Sequence, residues 1–278
     1  MNDLDRVFDT ASGLLAGLRN PDGGFGPRAM QPSEAEPTAL AAMALDDPSA
    51  RAWLADAQHE DGSFRPTVGP FDNDSATGLA ALALEDGPER ERALDHLERT
   101  RAQRVPSTEA IPLDADAIGW AWMDGTASWT EPTARALLAL RIARPGSDAI
   151  ADGVDLLRDR EAVGGGWNYG NRTVLDEDLP PFAQTTAVAL IALRGAEPEL
   201  ETRGLDVLRT LSRTEASGGL SLATALAAFR LYEDAESTDG AADALGELID
   251  RTELTGDGVA LAWSALAAGP GLGRLEIR

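Results

Sequence analysis

Glu131-Pro132-Thr133-Ala134 opens an Ala- and Leu-rich run to Leu140, and Glu36-Pro37-Thr38-Ala39 opens another to Leu45. Both put Pro in a first-turn helix position, where its missing N–H costs nothing. Similar segments begin at Ser75-Ala76-Thr77 and at Gln184-Thr185-Thr186-Ala187, running to Leu84 and Leu193. Weaker copies start at Ala223-Thr224-Ala225 and Asp257-Gly258-Val259. The shared Thr stands at 38, 77, 133, 186 and 224, with Val259 in the sixth copy. Intervals of this size are close to those of helical-pair repeats.

These segments are apolar nearly all round, which marks a buried helix. Charged, amphipathic segments alternate with them, as Pro88-Glu89-Arg90-Glu91-Arg92 and Glu199-Leu200-Glu201-Thr202-Arg203 show. The order predicts outer helices near 4–18, 48–58, 88–103, 147–161, 199–213 and 239–252. It predicts inner helices near 34–45, 73–84, 131–141, 183–194, 220–231 and 256–267. The expected fold is all-α: an α6/α6 toroid of six helix hairpins, formed by residues 1–278 as one domain. Closure of the ring removes the exposed end repeats that an open solenoid must cap.

The charge is unusual. Asp and Glu total 47 against 24 basic residues, a net charge of −23, and every basic residue is Arg. Such a field repels nucleic acid and anionic membranes. The absence of Cys removes disulfides, a thiolate zinc site and a cysteine nucleophile. Met1 to Arg6 show no basic segment leading into an apolar one, and no run of about 18 apolar residues exists. A cytoplasmic protein without a signal peptide or transmembrane segment is expected.

Between outer and inner segments lie Gly-rich turns ending in an aromatic. The second reads Trp53-Leu54-Ala55-Asp56-Ala57-Gln58-His59-Glu60-Asp61-Gly62-Ser63-Phe64. The first keeps Asp22-Gly23-Gly24-Phe25 with Arg19 in the Gln position, and the fourth keeps Gly165-Gly166-Trp167 with Glu161 there. The third shows Gly119-Trp120-Ala121-Trp122 after an insertion beginning near Gln103, and the fifth retains Gly218-Gly219-Leu220. Gly permits the reversal, the aromatic fills the gap between hairpins, and Gln can bond backbone at the next helix's start. This pattern resembles the QW repeat of squalene–hopene and oxidosqualene cyclases, and the resemblance spans nearly the whole chain. It implies the α/α-toroid of the terpenoid cyclase and protein prenyltransferase β-subunit superfamily.

The resemblance sets the chemistry to look for. Prenyltransferases of that group hold zinc through Asp, Cys and His; this chain lacks Cys, and His59 and His96 lie on a turn and an outer helix, so no metal and no cofactor are expected. Class II cyclases protonate an alkene or epoxide with the central Asp of an Asp-x-Asp-Asp-Thr-Ala motif at an inner-helix start. Matching Thr-Ala puts Glu36 and Glu131 at the acid's position, with Pro37 and Pro132 after them. Asp72-Asn73-Asp74-Ser75 comes close but is one residue out of register, and Asp114-Ala115-Asp116-Ala117 falls within the insertion; no segment carries the full motif. Each candidate also has a structural reading: first-turn carboxylates favour the helix dipole, and Asp72 or Asp74 can cap the helix after Ser75. Glu131 is preferred over Glu36 as proton donor because Trp120, Trp122 and Trp129 precede it, and apolar rings raise a carboxyl pKa.

Trp120, Trp122, Trp129, Trp167, Tyr169 and Trp263 are candidates for lining a cavity, since aromatic faces stabilise cations, or for plugging gaps between repeats. The segment from Trp167-Asn168-Tyr169-Gly170 to Pro180-Pro181-Phe182 is long enough for a lid. The inner-helix starts Glu36, Asp74, Glu131, Gln184 and Asp257 are expected at one mouth of the ring, with at least one carboxylate paired. Two functions follow: a protein acting on or binding an isoprenoid or other apolar small molecule in a central cavity, or a catalytically silent toroid holding a lipid or partner protein.

Overall fold

The computed structural model describes residues 2–65, 75–214 and 218–277. Outer helices are α1 (Asp3–Ala16), α3 (Pro48–Ala57), α5 (Pro88–Arg99), α7 (Ala149–Asp159), α9 (Pro198–Ser212) and α11 (Ala235–Asp250). Inner helices are α2 (Ala35–Leu45), α4 (Thr77–Ala83), α6 (Thr130–Ala143), α8 (Ala183–Leu193), α10 (Gly219–Leu231) and α12 (Gly258–Ala268). A 3₁₀ segment, Pro270–Leu275, follows. Each inner helix packs on the next around the ring, and α12 closes it against α2. Each outer helix lies on the inner helix before it, and α1 covers α12. The molecule is an α6/α6 toroid.

The burial patterns explain the two rings. α1 buries Val7, Ala11 and Leu15, residues four apart that form one stripe. In α2, every residue from Thr38 to Ala44 is at most 3% exposed. The same full-circumference burial holds for Ala134–Leu140, Thr185–Leu193, Ala223–Phe229 and Ala260–Ala267. A water-filled channel down the axis would expose one stripe of each helix, and none is exposed in these stretches. Abundant Ala lets the inner helices approach closely enough to pack the axis.

The turns share one hydrogen bond. Thr38 Oγ1 accepts from the Phe25 amide at 2.9 Å, and Thr77 accepts from Phe64 at 3.0 Å. Thr133 accepts from Trp120 at 3.0 Å, and Thr186 from Trp167 at 2.9 Å. Three of the hydroxyls also meet the carbonyl of the same aromatic residue, as donors to Phe25, Trp120 and Trp167. Phe25, Phe64 and Trp167 are fully buried and Trp120 nearly so. The two tryptophan indoles also reach the outer helices: Trp120 donates to Leu97 O and Trp167 to Leu157 O. The insertion leaves this frame intact, because Ala102 N donates to Gly119 O as Asn20 does to Gly24 and Ala162 to Gly166. Gly62 has φ +91°, and a Cβ there would lie 2.2 Å from the carbonyl of Arg92, so only glycine fits.

The residue in the Gln position ties each turn to the next outer helix by different means. Arg19 pairs with Asp47, the cap of α3; Gln58 donates to Glu89 O of α5; Glu161 accepts from Arg203 of α9. Arg101 pairs with Asp152 of α7 in the third repeat. Departures from expectation are local: α4 starts at Thr77 rather than near 73, and α5 ends at Arg99 rather than near 103. α11 starts at Ala235, four residues early, because the Asp234 carboxylate caps Ser237 N. A two-residue hairpin, Thr173–Val174 with Glu177–Asp178, stands where no strand was read.

Two outcomes follow. Thr133→Val leaves the buried Trp120 amide unpaired and should cost about 1–3 kcal/mol in chemical denaturation. Thr224→Val should cost well under about 1 kcal/mol, since the Thr224 hydroxyl bonds back to Leu220 and Ser221 of its own helix. Equal losses would contradict the role of the shared Thr. Raising NaCl from about 0.1 to about 1 M, which shortens the screening length from about 10 to 3 Å, should raise the melting temperature by several degrees. The cause is mutual repulsion among 47 carboxylates facing 24 Arg; a flat or falling profile would reject it.

Candidate functional site

Short links join inner to outer helices, and long loops join outer to inner ones. All long loops therefore gather at the end where the inner helices begin. Glu36, Glu131 and Gln184 are each the second residue of an inner helix, α2, α6 and α8. They meet there around Arg135, one turn into α6. Arg135 donates to Glu36 Oε1 at 2.5 Å and Oε2 at 3.0 Å, and to Glu131 Oε1 at 2.6 Å. Gln184 Nε2 lies 3.4 Å from both Glu131 oxygens. The guanidinium carbon sits 5.5 Å from the centre of the Trp122 ring, a cation–π contact.

Helices α2 and α6 are not ring neighbours; α4 stands between them. Gly78 of α4 lets α4 and α6 pack backbone to backbone, because a Cβ there would lie 2.6 Å from the Arg135 carbonyl. The ion pair thus spans the mouth above α4. Arg135 and Glu131 are buried and Glu36 about half as accessible as a surface carboxylate, its side chain 28% exposed. Burial alone would loosen the Arg135 proton, but Glu36 and Glu131 outweigh it and hold the guanidinium more firmly protonated than usual. Two carboxylates against one guanidinium leave one negative charge, which the N-terminal dipoles of α2 and α6 offset.

Beside the cluster is a cavity of about 280 Å³, lined by Pro27, Ala35, Glu36, Pro37, Ala76 and Val259 among others. Exposed apolar side chains stand on the loops of the same end: Met30, Tyr169, Leu175, Leu179 and Phe182. Tyr169 packs on Phe182 with ring centres 5.1 Å apart.

The other sequence candidates are spread out. Trp120 and Trp167 are buried between helices, Trp263 is buried within α12, and Trp129 is half-buried at the start of α6. Asp257 caps α12 by accepting from Ala260 N. Asp114 and Asp116 brace the insertion, Asp116 pairing with Arg104. Asp72 and Asp74 lie outside the described residues. Among the described residues no group of His, Asp or Glu could hold a metal ion, and no helix is long and apolar enough to cross a membrane. Sequence reading missed Arg135; its signal was a charge four residues after Glu131 within an otherwise apolar helix.

This arrangement bears on acid catalysis. A carboxyl that protonates an alkene must present an O–H to it. Here the candidate carboxylates face a guanidinium that donates to three of their four oxygens.

No family profile matches the sequence, and no curated protein does. Solved structures do resemble the fold. A single-substitution variant of the type II terpene cyclase MstE from Scytonema, in complex with the substrate geranylgeranyl dihydroxybenzoate, shares 14% identity at a TM-score of 0.59, covering 98% of this chain and 97% of that one. A protein from Actinoplanes shares 15% at 0.57, covering 99% of both. An inactive variant of the α-1,6-mannanase GH76A of Salegentibacter, in complex with α-1,6-mannotriose, shares 12% at 0.56, covering 98% and 100%. At such identities the likeness shows architecture alone, an α/α-toroid that hosts both terpene and sugar chemistry.

Proposed function

We propose that this chain holds an isoprenoid, or a similarly apolar chain, at the mouth of its ring without turning it over. The observation that carries this reading is the Arg135 clamp, which engages Glu36 and Glu131 as counter-ions. The packed inner helices add to it, because cyclisation needs a cavity that encloses the folded substrate. Ligand binding is supported by the mouth cavity, by the exposed apolar side chains on the surrounding loops, and by the likeness to a toroid that binds a geranylgeranyl compound. At about 280 Å³ the cavity is at the lower edge of sites for drug-sized ligands. It therefore takes a short isoprenoid, or the end of a longer one.

The test is incubation with farnesyl, geranylgeranyl and squalene-type compounds, with binding and products both measured. Saturable binding of at least one compound with unchanged recovery is expected, and Glu131→Gln should leave recovery unchanged too. A cyclised product lost in Glu131→Gln would establish Glu131 as the acid and overturn the silent reading. Failure of every polyprenyl compound to bind, or preference for mannotriose, would overturn the ligand class.

The clamp has its own consequence for stability. Arg135→Met would leave two carboxylates without their counter-ion and should cost about 3–5 kcal/mol, against about 1–3 kcal/mol for Glu131→Gln. Denaturation of the two variants measures the difference; a smaller loss in Arg135→Met would show that the carboxylates do not depend on the guanidinium.

A further inference from the structure

We propose a second site, for a small carboxylate with an apolar body, in the cleft between the third-repeat insertion and the loop after α7, with Arg160 as the anion's partner. The cleft has a volume of about 210 Å³ and is lined by Val105, Pro106, Ile111, Leu113, Trp129 and Arg160, with Ser128 and Asn171 at its polar edge. It shares no lining residue with the mouth cavity.

Arg160 follows the last residue of α7 and is 3% exposed. Its NH1 pairs with the neighbouring Asp159, while its Nε is buried with no hydrogen-bond partner. Asp159 is itself shared, its other oxygen accepting from Asp114 N at 3.1 Å. A buried guanidinium with a bond unmade is costly, and it is the state that a bound anion relieves. Arg135 and Arg194 also carry a buried Nε without a partner, so what sets Arg160 apart is how few acceptors its guanidinium has. Arg135 holds two carboxylates and Arg144 three. Arg141 and Arg230 spend their donors on helix carbonyls. Arg160 has one carboxylate and a spare donor, in a protein where acids outnumber Arg. Burial lowers its proton affinity, with Asp114 opposing.

The walls select the rest of the ligand. Val105, Pro106, Ile111, Leu113 and Trp129 offer apolar contact that a bare phosphate or sulfate cannot use. The volume lies below that of drug-sized sites, so the body is the size of a short fatty acid or a single ring. A guanidinium reads a planar carboxylate through paired N–H donors. The net charge of −23 discourages stray anions, so occupancy has to come from these local contacts.

Calorimetric titration of the full chain with hexanoate and benzoate tests this, with hexanol, benzyl alcohol and inorganic phosphate as comparisons. Carboxylates should bind at one site at least tenfold more tightly than the alcohols or phosphate, and Arg160→Gln should lose about that factor, as expected for one hydrogen-bonded charge. Ile111→Trp, which fills the cleft and keeps Arg160, should abolish binding and decides the matter if Arg160→Gln does not fold. Glu131→Gln should leave carboxylate affinity unchanged, which separates this site from the mouth. No carboxylate binding, equal binding of acids and alcohols, or full affinity in either cleft variant would overturn the proposal.

Discussion

The hydrogen bond from the amide of a turn aromatic to the Thr of the next inner helix organises the rest of the molecule. It connects Phe25 to Thr38, Phe64 to Thr77, Trp120 to Thr133 and Trp167 to Thr186. Each bond contributes about 1 kcal/mol net, but the alternative is an unpaired amide in a dry interior, which is worse. Because the Thr sits in the first turn of its helix, the bond sets where the inner helix begins relative to the outer helix that precedes the turn. The aromatic side chain is then held between hairpins, where it covers apolar surface on both. The third and fourth repeats carry long loops, yet keep the bond, so those loops can vary without moving the ring.

The two ends of the ring differ because of helix polarity. Where the inner helices end, links are short and Arg side chains close the last carbonyls: Arg51 on Ala42, Arg90 on Ala81, Arg141 on Ala192, Arg194 on Leu231 and Arg230 on Ala267. A cation is favoured at a helix C-terminus, and a forked guanidinium can serve a carbonyl and a carboxylate together. Arg51 does so, meeting Ala42 O as well as Asp46 and Glu85. That dual duty gives a physical use for Arg over Lys at this end. Where the inner helices begin, the dipoles favour carboxylates, and Glu36, Glu131 and Asp257 stand there. The end that carries the long loops and the end that Arg side chains close are thus distinguished by backbone electrostatics.

At the mouth, the same side chains can be read as acids or as counter-ions, and their neighbour is a guanidinium. Trp120 and Trp129 near Glu131 suggested an apolar environment for a proton donor. In the folded chain Trp120 is buried between helices, Trp122 supports a guanidinium, and that guanidinium faces both carboxylates. The toroid itself is neutral on this question, as its likeness to both a terpene cyclase and a mannanase shows.

The sequence by itself determined the class of the fold and the end of the ring where its loops gather. Full-circumference apolarity marked the inner helices, charged faces marked the outer ones, and glycine before an aromatic marked the turns; each is a local property of a helix or turn. The bond from Gln58 to Gly62 O is local in the same sense. What only the tertiary structure decided is pairing over distance. Glu36 and Arg135 lie 99 residues apart on helices that are not ring neighbours. No periodicity encodes that meeting, since it needs the curvature of the ring. Arg160 likewise reads as an ordinary residue ending an amphipathic helix. Its place in a cleft depends on an insertion some fifty residues earlier, since residues from Val105 to Leu113 line that cleft with it. Secondary structure follows from neighbours along the chain, whereas the partner of a buried charge is set by what the closed ring brings within a few ångströms.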